Sequence, residues 1–238
     1  MFISISGVGY IIVAIIAAFF SIRLMQSYKR ENSPLSYFYS RTFLYLSLMS
    51  VSYSFPTFFW HDDSLKLGLG EFLGNIFLVI AFSYLMMIPI FIKRGISAAR
   101  HGFDATLVLG VILLFFTVHY FPTLYFDEND ILTKVYDPIL KVGYYLFIAG
   151  ISLIISFTFF REAFRLTGHS RVRTLLQGFA FFFGGVGGGF IKVFEDNRYL
   201  AASFISLLIG FLFIFAAALY KKHKGLTDDE VISHSDTI

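Results

Sequence analysis

"FFFGGVGGGFIK", Phe181–Lys192, sets Gly184, Gly185, Gly187, Gly188 and Gly189 inside one of the most apolar parts of the chain. As a phosphate-binding turn it would mark an α/β domain. As a helix it would mark a close contact between membrane spans. A P-loop needs G-x-x-x-x-G-K-[ST], and that string does not occur. A dinucleotide turn needs G-x-G-x-x-G, and Phe190 stands where the third glycine belongs. The helical reading fits better. Gly184 and Gly188 are four apart, as are Gly185 and Gly189, so each pair puts bare backbone on one helix face. These four residues are expected to be helix-packing positions, with a hinge or pore-lining role as the alternatives.

The surroundings of that stretch point the same way. The 238 residues are 57% hydrophobic and 20% aromatic, with 32 Phe, and only 15% are charged. A soluble domain uses roughly 25% charged residues. Mean hydropathy is +0.72. Seven apolar runs, at 4–24, 42–60, 70–92, 104–121, 138–160, 174–194 and 200–220, are each long enough to cross a bilayer core of about 30 Å. They are too long and too continuously apolar for barrel strands. The expected fold is all-α: a polytopic membrane bundle of seven transmembrane helices over residues 1–220. The first run lacks a charged leader and a cleavage site, so it reads as a retained span. Residues 221–238 form a short polar tail, expected to be cytoplasmic and disordered.

Orientation follows from Lys and Arg. Of the 19 basic residues, only Lys66, Lys134, Lys141, Lys192 and Arg198 fall on one side of a seven-span thread. The positive-inside rule then puts the N-terminus outside, the C-terminus in the cytoplasm and the chain in the cell membrane. The basic string 161–173 reads as a cytoplasmic anchor or anionic-lipid patch, not a nucleic-acid site. The expected partners are the lipid bilayer, a cytoplasmic or membrane protein, and a second copy in a homo-oligomer. The outer stretch 122–137 reads as a loop with a turn-like acidic centre.

Enzyme chemistry finds little support. There is no cysteine, no G-x-S-x-G and no H-E-x-x-H. The six histidines are scattered, with no two on one span, which argues against a haem pair. "WHDDS" (60–64) offers adjacent ligands that cannot converge easily on a cation. No cofactor and no metal site are expected, and neither is an enzyme.

Charged groups within spans usually face the bundle interior or water. Glu71 and Asn75 share a face at the start of the third run. His119 ends the fourth, Lys141 opens the fifth with Tyr144 one turn deeper, and Lys192 closes the sixth. These six residues are the expected ligand-binding set around an outward-opening pocket. Lys141 and Lys192 would hold an anionic group, Glu71 and Asn75 would orient it, and Tyr144 would form a wall. The bland alternative is snorkelling lysines and local ion pairs, Asp137 with Lys141 and Lys192 with Glu195.

Seven spans with an outer N-terminus invite comparison with rhodopsins, but "LAASFISLLIGFLFIFAAALY" (200–220) has no lysine for a retinal. The third run ends "IFIKRG" without D-R-Y, and the seventh lacks N-P-x-x-Y, so the receptor marks are absent too. The first span exits into "SIRLMQSYKRENSPLSYFYSRTFLYLSLMSVSYSF" (21–55), a basic exit, a short polar hairpin with Pro34 and an aromatic re-entry. This resembles the seven-helix membrane sensor modules at the N-termini of some bacterial histidine kinases. The resemblance implies sensing of a ligand or of the membrane state, passed to a cytoplasmic domain; residues 221–238 are too short for one, so a partner is expected to carry the output. The expected function is a membrane sensory or accessory subunit. A small transporter or channel component, and a structural assembly subunit, are the alternatives.

Overall fold

The computed structural model describes residues 5–60, 63–126, 132–193 and 197–219, with backbone only at 5, 190–193, 197–201, 204, 218 and 219. Among them are six helices and one small hairpin: α1 Ile5–Glu31, α2 Pro34–Phe59, α3 Ser64–His119, β1 Thr123–Phe126, β2 Leu132–Val135, α4 Pro138–Ala163, α5 Gly168–Val193 and α6 Asn197–Leu219. The tail and the residues His61, Asp62 and Glu195 lie outside the described residues.

Local chemistry sets the helix ends. Asn32 takes a left-handed φ of 51° and stops α1. Pro34, with its fixed φ, then starts α2 directly. Asp63 caps α3 by accepting from the Lys66 backbone N–H at 3.1 Å. The Lys66 ammonium lies 2.9 Å from the same carboxylate, and hydrogen bonding from Lys66 holds Asp63 below the usual carboxylate range. Asp137 caps α4 through the Ile139 N–H at 2.9 Å, with Pro138 at the first helical position.

α3 is broken at Gly95, whose φ of 79° and ψ of −174° no helix allows. The break makes two arms, 64–94 and 96–119. The six described helices overlap the seven apolar runs of the sequence, with α3 taking two of them. α1, α3 and α4 are long and apolar enough to cross a membrane.

Chain neighbours pack side by side, from α1 with α2 through to α5 with α6. Small polar side chains join the backbones, as expected where water cannot compete. Ser21 Oγ donates to the Ser40 carbonyl and Ser40 Oγ to the Ser21 carbonyl, both at 2.9 Å. Ser156 Oγ donates to the Gly178 carbonyl and Ser206 Oγ to the Phe183 carbonyl, each at 2.8 Å. The main core lies between α3 and α4, around Leu78, Phe82, Ile88, Tyr144, Ile148 and Ile155. Large apolar groups also point outward: Phe157, Phe115 and Leu212 are 73%, 71% and 68% exposed. A surface of that kind suits hydrocarbon rather than water.

The stretch 122–137, read from the sequence as a loop, is an antiparallel hairpin instead. Thr123 pairs with Val135 and Phe126 with Leu132. Its register turns Leu124 and Leu132 onto Leu67 of α3, so the hairpin covers one end of the bundle. The physical reason is burial of one face of a short two-stranded ribbon, which is marginal alone and needs a helix to pack on.

Candidate functional site

The hairpin end of the bundle holds a buried polar cluster built by five elements. Glu71, two turns into α3, is 2% exposed, and Asn75 one turn on is fully buried. Lys134 reaches down from β2 and places its ammonium 2.5 Å from Glu71 Oε2. Tyr136, just after β2, donates its hydroxyl to Glu71 Oε1. Both carboxylate oxygens are therefore engaged by the hairpin and its exit.

Aromatic rings complete the surroundings of Lys134. Its ammonium donates to the Tyr10 hydroxyl of α1 at 3.3 Å. It also lies 5.2 Å from the Tyr10 ring centroid and 4.5 Å from that of Tyr53 on α2. Desolvated cation–π contacts of this kind are worth about 2 kcal/mol each. Tyr10 and Tyr53 meet edge to face at 5.2 Å, and the Tyr53 hydroxyl donates to Asn75 Oδ1 at 2.7 Å.

Electrostatics favour the charged lysine. Burial alone would depress Lys134, but the Glu71 carboxylate and the Tyr10 hydroxyl outweigh it, so its pKa is raised above the ordinary 10.5. Burial, and then the Glu71 charge, push Tyr136 well above the ordinary 10.0. The tyrosine thus stays a donor and the lysine an ammonium across the neutral range.

Bare backbone lets these side chains in. A Cβ added at Gly74 would overlap the Tyr53 ring, and one at Gly70 would overlap the Pro56 ring and come 2.8 Å from the Ser52 carbonyl. Gly70 and Gly74, four apart on α3, therefore seat the kinked end of α2 and hold Tyr53 over Asn75. Deeper in, Tyr144 of α4 is fully buried, with its ring centroid 6.2 Å from that of Tyr136. Thr117 Oγ1 donates to the Leu113 carbonyl at 2.8 Å, so the Tyr144 hydroxyl, also at 2.8 Å, is the donor to Thr117.

Of the six residues the sequence proposes, Glu71, Asn75 and Tyr144 join this cluster. His119 is exposed, with its ring edge-on to Tyr120 at 4.7 Å. Lys141 is half-buried on the first turn of α4. Lys192 lies on the last turn of α5, and its side chain is outside the described residues, as is its proposed partner Glu195. The Asp137 carboxylate serves as the α4 cap.

The glycine pairs of α5 face two different helices. A Cβ at Gly185 would overlap Ser152, and one at Gly189 would lie 3.2 Å from Tyr145, both on α4. Gly184 turns instead to Gly210 and Gly188 to Leu207, both on α6. α5 is thereby wedged between its two chain neighbours.

Lys134, Tyr136, Tyr53 and Tyr10 are missing from the sequence proposal. In the sequence Lys134 groups with ordinary loop charges. The alternation Leu132-Thr133-Lys134-Val135 was its signal, because it puts Leu132 and Lys134 on one strand face. No family model and no curated protein matches this chain.

Proposed function

We propose that the chain is a seven-helix integral membrane protein that serves as a sensory or accessory subunit, with its hairpin end outside the cell. The observation that carries this is the Lys134–Glu71 pair. It fastens an exterior hairpin to the interior of the bundle, where an ionised pair is costly to keep unless it has a role. A ligand or a membrane change that moves the hairpin breaks this bond, and the strain reaches α1 and α2 through Tyr10 and Tyr53. Lys141, on the first turn of α4, supplies a cation for an anionic ligand at its rim. At the opposite end, Arg161, Arg165, Arg171 and Arg173 are exposed around the α4–α5 connection and offer a docking surface for a cytoplasmic partner.

The structural-assembly alternative draws less support. The α5 glycines contact α4 and α6 of the same chain, which leaves less bare backbone for another subunit. The transporter alternative is separated by function: purified chain alone in liposomes moves no solute if it is a sensor.

A photoreactive residue at Arg165 tests the sensory reading in native membranes. The wild type crosslinks to a defined partner, and Lys134→Met changes that crosslink while leaving the chain in the membrane. Identical crosslinks in both, or none with the wild type, contradict it.

A further inference from the structure

A second site lies deeper, between the α1–α2 pair and the α5–α6 pair. It is a cavity of about 150 Å³ whose walls include Phe43 and Met49 of α2, Phe181 and Gly188 of α5, and Leu207 and Phe211 of α6. Among the described residues its lining has no Asp, Glu, Lys, Arg or His. An ionised ligand would find no counter-charge there.

Two hydroxyls on the wall are unsatisfied. Ser50 is fully buried, and its Oγ has no hydrogen-bond partner among the described residues. The Tyr39 hydroxyl is equally buried and equally unpartnered, while its ring stacks on Phe181 at 6.1 Å. Other α2 hydroxyls differ: Thr42 and Ser47 both donate to backbone carbonyls. Ser50 is thus a donor with nothing among the described residues to receive it, set in a largely apolar chamber. Tyr39 and Ser50 lie on nearly the same face of α2, about 16 Å apart along its axis. The chamber is therefore long and narrow.

We propose that this cavity binds a slender, uncharged apolar molecule carrying a carbonyl or hydroxyl oxygen, which accepts a hydrogen bond from Ser50. Bare backbone at Gly188 gives the chain of the ligand its width, while Gly184 and Gly210 pack on each other and bring α5 and α6 together at the wall. A Cβ at Gly188 meets only Leu207 Cδ1, at 3.5 Å, so that position has room to spare. Tyr10 and Tyr53 line the cavity and also contact Lys134, so the chamber ends beneath the outer cluster. Binding here does not depend on the chain being a sensor.

The test uses a decanol bearing a diazirine at mid-chain, irradiated with the full chain in micelles and in lipid nanodiscs, followed by peptide mapping. Adducts concentrate on Leu46, Met49 and Leu207. Ser50→Ala lowers their yield about fivefold, as loss of one hydrogen bond implies. The same variant raises the melting temperature of the empty protein, because an unsatisfied hydroxyl is gone. Gly188→Phe abolishes cavity adducts, while Gly188→Ala folds and retains them. Adducts on the outward-facing Phe157 and Leu212 stay constant throughout. Unlabelled decanol competes and decanoate does not. Cavity adducts in micelles alone identify the occupant as a bilayer acyl chain with its ester carbonyl; adducts in both media identify a free molecule. Adducts only on outward-facing positions, equal cavity yield in Ser50→Ala, or equal competition by decanoate overturns the proposal.

Discussion

Lys134 Nζ lies 2.5 Å from Glu71 Oε2, although the two residues are 63 positions apart in the chain. Their side chains are 9% and 1% exposed. Everything else at the hairpin end is arranged around that contact: Tyr136 on the other carboxylate oxygen, Tyr10 and Tyr53 against the ammonium, and Asn75 beneath Tyr53.

Removing one member of the pair leaves the other buried and uncompensated. Glu71→Leu or Lys134→Met alone is expected to cost about 3–5 kcal/mol, while Glu71→Leu combined with Lys134→Met recovers much of that loss. Unfolding of the purified chain measures it, as a double-mutant cycle. Additive losses in the double variant would show that the two groups do not act as a pair.

Alkali should loosen the hairpin where mild base does not. Lys134 and Tyr136 both have raised folded values, from ordinary values of 10.5 and 10.0. A raised value means the stabilising contribution is complete below the unfolded value and is lost as pH rises through the folded one. The hairpin therefore stays fastened below about pH 10. Tyrosinate absorbance is the measurement: the component missing in Tyr136→Phe appears at a pH well above the ordinary tyrosine value of 10.0.

The α5 glycines are expected to differ by position. Gly185→Leu drives a side chain into Ser152 and separates α5 from α4. Gly210→Ala places a Cβ 2.7 Å from the Gly184 Cα and prises α6 from α5. Gly188→Ala meets nothing closer than 3.5 Å and gains about 1 kcal/mol of helix propensity. Melting temperatures of the three variants rank them: Gly188→Ala at or above the wild type, the other two below it.

Gly95 is a backbone position. A Cβ there meets nothing within 4 Å, but φ is 79°. Gly95→Ala is expected to cost about 1–2 kcal/mol through conformation alone. With ψ at −174° the position lies in a region that essentially only glycine adopts, so Gly95→Asn should lose as much as Gly95→Ala. No loss in either variant would show that the backbone conformation of Gly95 is not what the position provides.

The helices were legible because length and unbroken apolarity leave few alternatives: each apolar run overlaps a described helix, two of them sharing α3. The break at Gly95 was legible only as a charged connection, "IKRG". The hairpin was hidden because its strands are four residues each and its buried face is two leucines. Glu71 and Asn75 were found through their spacing on one helix face. Their partner Lys134 was not, because a contact across 63 residues leaves no local periodicity. Tyr10 and Tyr53 were indistinguishable from the other 12 of 14 tyrosines. GxxxG spacing marked the α5 pairs as packing faces but could not say which neighbour each would meet. It also passed over Gly70 and Gly74, which seat Tyr53.

The side of the membrane on which the hairpin lies is the most direct test. The chain has no cysteine, so a single one can be placed cleanly. Tyr125→Cys sits on the hairpin and Ser97→Cys just after the Gly95 break, both at exposed positions. An impermeant maleimide applied to intact cells is predicted to label Tyr125→Cys at once and Ser97→Cys only after permeabilisation. Labelling of Ser97→Cys in intact cells, with Tyr125→Cys protected, would put the Lys134–Glu71 cluster on the cytoplasmic side and contradict sensing from outside.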